Sequence, residues 1–140
     1  DTGMSRLGVR WSDATSLLEL CANTPEIRVD GLMSHLACAD APDLEPTRAQ
    51  LRLFERARKR AGELRLKPRF HHIANSAAAF RLNASRLDAV RAGIALYGVP
   101  SHAPAPLVDG VGLQPVRQAK GSPSVTHGMA AVGASLLVVI

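Results

Sequence analysis

The chain has 140 residues, 46% of them hydrophobic and 21% charged, which excludes a disordered or collagen-like polypeptide and leaves room for about one domain. Its formal net charge is +5, but the basic residues concentrate as Arg48, Arg52, Arg56, Arg58, Lys59 and Arg60, interleaved with apolar positions and partnered by Glu55 and Glu63. With no stacking aromatics and no recognised binding motif beside them, they read as a solvated helix face and not as a nucleic-acid surface.

Cys21 and Cys38 lack CxxC or Cys/His spacing, which argues against a metal site and a disulfide scaffold. They are expected as buried thiols of a cytoplasmic protein. The chain opens at Asp1 without Met or a signal peptide and is expected to be a fragment. Ser12 is a candidate cap for a helix over residues 13–23, with Leu17, Leu18, Leu20 and Cys21 on its apolar side and Pro25 beyond its end. A strand is expected over 29–37. Asp43 then caps a helix with Pro46 in its first turn, whose apolar residues Leu51, Phe54, Ala57, Ala61 and Leu64 fall three and four apart on one face.

Residues 69–74 read as a short strand, 76–83 as a short helix and 89–99 as an apolar strand stopped by Gly98 and Pro100. The order βαβαβ implies parallel strands with right-handed crossovers, as in a doubly wound sheet or a (β/α) barrel. Residues 101–109 read as a Pro- and Ala-rich connector, and 111–116 as a possible new start. The apolar stretch 125–140 is shorter than a membrane span requires and is expected as a buried or aberrant tail, so no membrane partner is expected.

In parallel α/β folds functional groups gather at strand carboxyl ends. Four polar clusters fall there: Met4-Ser-Arg6, Ser34-His35, Asn75-Ser76 and Arg91-Ala-Gly93. A histidine on a strand is more often packed or solvated than functional, and His71 and His72 receive no other reading. Arg91 is harder to dismiss, because a buried guanidinium must be paired. Asn75-Ser76 is either a plain helix cap or an anion site made by a hydroxyl and free backbone N–H groups. Gly93 lets backbone approach a ligand closely.

Together these segments resemble one family. Asp1-Thr-Gly-Met-Ser-Arg-Leu-Gly8, Gly31-Leu-Met-Ser-His-Leu-Ala-Cys-Ala-Asp40, Ala74-Asn-Ser-Ala-Ala78 and Val90-Arg-Ala-Gly-Ile-Ala-Leu-Tyr-Gly98 are similar, in order and spacing, to successive signatures of alanine racemase. The resemblance covers about residues 1–116. It implies an α/β fold, part of a (β/α)8 TIM barrel that holds pyridoxal 5'-phosphate at its mouth. Residues 1–109 would belong to that barrel, and 110–140 to a linker or the start of a β-rich second domain, with a divergent tail after about 122.

The resemblance also assigns roles. Arg91 matches the arginine that hydrogen-bonds the pyridine nitrogen of the cofactor; unable to give up or take a proton near neutrality, it would keep that nitrogen largely unprotonated and the ring a weak electron sink. Asn75, Ser76, Gly93 and Ile94 match the phosphate cradle, through the Ser76 hydroxyl and the backbone amides of Ser76, Gly93 and Ile94. His35 matches the link between that arginine and a catalytic tyrosine, and Arg6 the group near the substrate carboxylate.

The activity implied is two-base interconversion of L- and D-alanine, supplying D-alanine for peptidoglycan, in a homodimer. The Schiff-base lysine and the catalytic tyrosine match nothing in this chain; Tyr97 fits the barrel motif instead. No catalytic residue is therefore assigned, and the piece alone is expected to be inactive and, with strand edges unpaired, marginally stable. Ala92 stands where the family has proline, and Arg117 and Ala119 where apolar residues are expected. Three alternatives remain open: a racemase for another small amino acid such as serine, a non-catalytic pyridoxal-phosphate barrel protein, and an inert fragment or interaction module.

Overall fold

The structure, a computed structural model, describes residues 1–98 and, as backbone, 136–139. The elements run α1 (Trp11–Ala22), β1 (Val29–Met33), α2 (Glu45–Glu63), β2 (Phe70–His72), α3 (Ser76–Arg81), two 3-10 turns (Asn83–Ser85 and Ile94–Tyr97) and β3 (Leu136–Val139). The predicted connector 101–109, the stretch 111–116 with Arg117 and Ala119 after it, and most of the tail lie outside the described residues.

Helix α2 forms where the apolar spacing places it. Thr47, Gln50, Phe54, Ala57 and Ala61 are buried along one side, and Asp43 Oδ1 accepts from the Glu45 N–H at 2.8 Å, tying down a first-turn donor. At the far end Arg65 adopts φ 59. Its N–H donates to Gly62 O at 2.9 Å and the Leu66 N–H to Ala61 O at 3.0 Å, the paired bonds of a Schellman ending with arginine where glycine is usual. The arginine face is solvated and paired: Arg52 meets Glu45 at 2.8 Å, Arg58 meets Glu55 at 2.5 Å, and Arg60 meets both Glu19 of α1 and Glu63.

Helix α1 starts two residues earlier than the Ser12 cap implies. Arg10 precedes it without a side-chain cap, because Trp11 extends the buried stripe Ala14, Leu18 and Cys21 backwards against the core. Burial pushes the Cys21 thiol up; Cys38, expected inside, is exposed.

The sheet is parallel, ordered β2-β1-β3. β1 pairs with β2 through Gly31↔Phe70, Leu32↔His71 and Met33↔His72, the pairing that a strand-helix-strand unit produces. Leu32, Leu36 and Ile73 share one core with Phe54, Ala57 and Ala61 of α2 and Leu18 of α1. Burial of each large side chain stabilises by about 1.5–3 kcal/mol.

Two strand expectations need correction. The strand expected over 29–37 ends at Met33: the Ser34 N–H still donates to His72 O of β2 at 3.3 Å, but His35 O, Leu36 O and the Ala37 N–H bond to side chains instead of a neighbouring strand. The strand expected over 89–99 is absent from its described part: residues 89–93 have no regular structure, Ile94–Tyr97 forms a 3-10 turn, and Val99 lies outside the described residues. Two backbone bonds, Asp88 N–H to His71 O and Arg91 N–H to Ala74 O, both 3.0 Å, run this segment beside the end of β2. Val90, Ile94, Leu96 and Tyr97 remain exposed, so the apolar run that suggested a strand lies uncovered. The third strand is instead β3, parallel to β1 on its other edge.

Candidate functional site

Parallel pairing brings the carboxyl ends of β1 and β2 to one side, and the segments after them enclose an open cleft of about 360 Å³. His35, Asn75, Ser76, Arg91, Gly93 and Ile94 all line it, with Asp40 nearby. The six residues singled out from sequence thus meet in one place. Arg6 lies in an adjoining pocket with Met4, Met33, Ser34 and His35, so His35 stands between the two.

Arg91 is the hub. Its Nη2 donates to Ser34 O at 2.6 Å, His35 Nδ1 at 3.2 Å and Ile73 O at 3.3 Å. Its Nη1 donates to His72 Nδ1 and, at 3.4 Å, to His72 O. Among the described residues its Nε–H has no hydrogen-bond partner. Burial, and then the nearby Arg6 charge, hold this guanidinium below its ordinary value, but a guanidinium stays protonated in proteins.

Because arginine only donates, Nδ1 of both His35 and His72 must be an acceptor, so each ring carries its proton on Nε2. The electrostatics agree. Burial, then Arg91, then Arg6 push the His35 imidazole below its ordinary value; burial, then Arg91, then His71 do the same for His72. Two neutral rings therefore flank one cation. His71 turns away to Asp88, whose Oδ2 accepts from both its N–H, at 2.7 Å, and its ring Nδ1, at 3.1 Å.

Across the cleft, Asn75 caps α3: its Oδ1 accepts from the Ala78 N–H at 3.0 Å, while Nδ2 donates to Leu36 O at 3.0 Å. Its amide is thus engaged in structure, and the polar groups left at this end come from its neighbours. The buried Ser76 hydroxyl accepts from the Ala95 N–H at 3.3 Å, and the backbone N–H groups of Ser76, Gly93 and Ile94 have no partner among the described residues. A Cβ added at Gly93 would stand 3.8 Å from Ser76 Oγ, in the space beside that hydroxyl. Gly93 has φ −76 and that contact is an ordinary van der Waals one, so neither a left-handed backbone nor a clash within the chain requires glycine here. The arrangement offers uncommitted donors at one end and a half-buried cation at the other, chemistry suited to a planar anion with an acceptor in its ring.

Sequence reasoning missed His72, because a histidine on a strand carries no signal until its partner 19 residues away is placed. It also missed Gln50. That signal was available, since Gln50 is a polar residue on the buried stripe of α2.

The family model described as "Alanine racemase, N-terminal domain" matches residues 1–101. An alanine racemase of Sorangium cellulosum is 52% identical over 99 residues, covering 71% of this chain and 26% of that protein. One of Thermobifida fusca is 42% identical over 118 residues, covering 82% and 31%. Among solved structures, an alanine racemase from Bacillus anthracis with bound L-Ala-P superposes with TM-score 0.71 at 31% identity, over 82% of this chain and 30% of that one. One from Streptomyces lavendulae gives 0.67 at 38% identity, over 71% and 27%. This chain spans about 26–31% of the length of these relatives.

Proposed function

The chain belongs to the alanine racemase N-terminal domain family, and on that premise we propose that its cleft binds pyridoxal 5'-phosphate as part of a racemase acting on alanine. The observation that carries this reading is the convergence of His35, Asn75, Ser76, Arg91, Gly93 and Ile94 on one cleft, with Arg91 Nε–H left unpartnered among the described residues. The residues fit the group: a cavity of this size suits a ligand of one substituted ring, and its lining combines a cationic donor, Arg91, with a hydroxyl and backbone amides able to take a phosphate.

Arg91 would donate from Nε to the ring nitrogen, and Ser76, Gly93 and Ile94 would cradle the phosphate, with Asn75 fixing the turn that presents Ser76. When bound, the cofactor supplies an electron sink that makes the α-proton of an amino acid removable. Arg91 stays charged and would offer a hydrogen bond without giving up its proton, so the ring nitrogen of a bound cofactor would stay largely unprotonated. His35, neutral and protonated on Nε2, would present its one N–H donor to an oxygen such as that of a tyrosine. Arg6 is exposed beside the cleft and would orient the substrate carboxylate.

Residues 1–109 are proposed as part of a (β/α)8 barrel, and 110–140 as the passage toward a second domain. The whole protein is proposed to be a cytoplasmic homodimer. Relatives named as alanine racemases favour alanine over serine as its substrate. No lysine or tyrosine of this chain lines the cleft among the described residues, so the 140 residues alone should yield no D-alanine from L-alanine in a coupled assay. The binding test is an absorbance titration of the chain with pyridoxal phosphate and, separately, pyridoxal. Saturable binding that prefers the phosphorylated form supports the proposal, and its absence overturns it.

A further inference from the structure

The loop of residues 34–41, which carries His35, has backbone groups that no strand satisfies, and three side chains, from α2, from α3 and from the cap of α3, take them up. Asn75 donates to Leu36 O. Arg81 of α3 donates to the carbonyls of Ala39 and Ala41 at 2.8 and 2.7 Å. Gln50 of α2 reaches both sides of His35: Nε2 donates to His35 O at 2.9 Å, and Oε1 accepts from the Ala37 N–H at 2.9 Å.

Gln50 does more than brace the loop. The same Nε2 donates to Thr2 Oγ1 at 3.1 Å, and that hydroxyl bonds Ser34 Oγ at 2.7 Å. Thr2, Ser34 and Gln50 are all buried. The segment that bears Arg6 is thereby tied through Gln50 to the loop that bears His35. An apolar residue would suit the buried stripe of α2 better, since a buried amide is unfavourable unless its hydrogen bonds are made. Here both N–H groups and the carbonyl are used.

We infer that Gln50 is a positioning residue of the cleft, setting where His35 and the Arg6-bearing segment stand relative to Arg91 without touching anything bound there. Its meaning for catalysis rests on the cofactor reading above, but its geometry can be tested without cofactor.

The experiment uses the full chain with labelled histidine, following ring tautomer and titration by NMR in Gln50→Leu and in Phe54→Leu, a core variant of the same helix. In the wild type His35 carries its proton on Nε2. In Gln50→Leu its Nδ1 slips from Arg91, its titration moves up toward the ordinary histidine value and both tautomers appear; His72 keeps its wild-type behaviour, and Phe54→Leu changes neither ring. The charges acting on His35, Arg91 and Arg6, are the same in all three proteins. Should Gln50→Leu not fold, Gln50→Met carries the test, because it keeps the length of the side chain, brings no charge near His35 and loses both donors. Pyridoxal phosphate affinity is expected to fall about tenfold in the position-50 variant. An unchanged His35 ring in the variant, or an equal change in Phe54→Leu, overturns the inference. A wild-type chain that binds no pyridoxal phosphate defeats the cofactor reading alone, and the ring tautomers still decide the role of Gln50.

Discussion

Replacing Arg91 by lysine keeps the charge and removes the shape, which isolates what the guanidinium geometry contributes. Two terminal nitrogens of Arg91 serve five acceptors: the carbonyls of Ser34, His72 and Ile73 and the Nδ1 atoms of His35 and His72. A lysine ammonium has three N–H groups on a single nitrogen, so at least two acceptors lose their donor. At about 1 kcal/mol net for each hydrogen bond in this half-buried setting, Arg91→Lys should destabilise the fold by about 2 kcal/mol. With a urea dependence of about 2 kcal/mol per molar, the unfolding midpoint falls by about 1 M. Trp11 is the one tryptophan and packs against the core, so its fluorescence reports the transition. A variant that unfolds within about 0.2 M of the wild type would show that the two terminal nitrogens do not clamp the strand ends.

Acid should weaken the fold through the two neutral imidazoles. His35 and His72 sit below their ordinary value of 6.5, so at low pH the unfolded chain binds protons that the folded one refuses, and stability declines as pH drops below about 6.5 while staying level above it. Melting curves from pH 8 to 5 check this, and His72→Asn should flatten the decline. Arg65→Gly should stabilise by about 0.5–1 kcal/mol by relieving a left-handed arginine at the end of α2, a gain read as a raised melting temperature. Ser76→Ala should weaken pyridoxal phosphate binding by about tenfold and leave pyridoxal binding unchanged, as measured by absorbance titration.

The parts of the molecule legible from sequence are those in which one local period carries the information. The stripe of Leu51, Phe54, Ala57, Ala61 and Leu64 locates α2, and the polar residues after β1 and β2 mark a shared end of the sheet. The failures have a common physical source. An apolar run such as 89–99 looks the same whether it is a paired strand or a segment left uncovered, because pattern reports a side chain's preference and not the presence of a partner. Residues 35–37 read as strand for the same reason, although Gln50 and Asn75 take up His35 O, Leu36 O and the Ala37 N–H. His72 was invisible until Arg91 gave it a partner across the fold.

On the proposed function, Arg91, Ser76, Gly93 and Ile94 grip one phosphorylated ring together. Backbone and arginine side-chain NMR spectra of the chain during addition of pyridoxal phosphate test it most directly. The expected result is a saturable shift at one common affinity in the amides of Ser76, Gly93 and Ile94 and in the Nε–H of Arg91. Shifts confined to the arginine face of α2, around Arg48, Arg52 and Arg56, with the cleft signals unmoved, would contradict it.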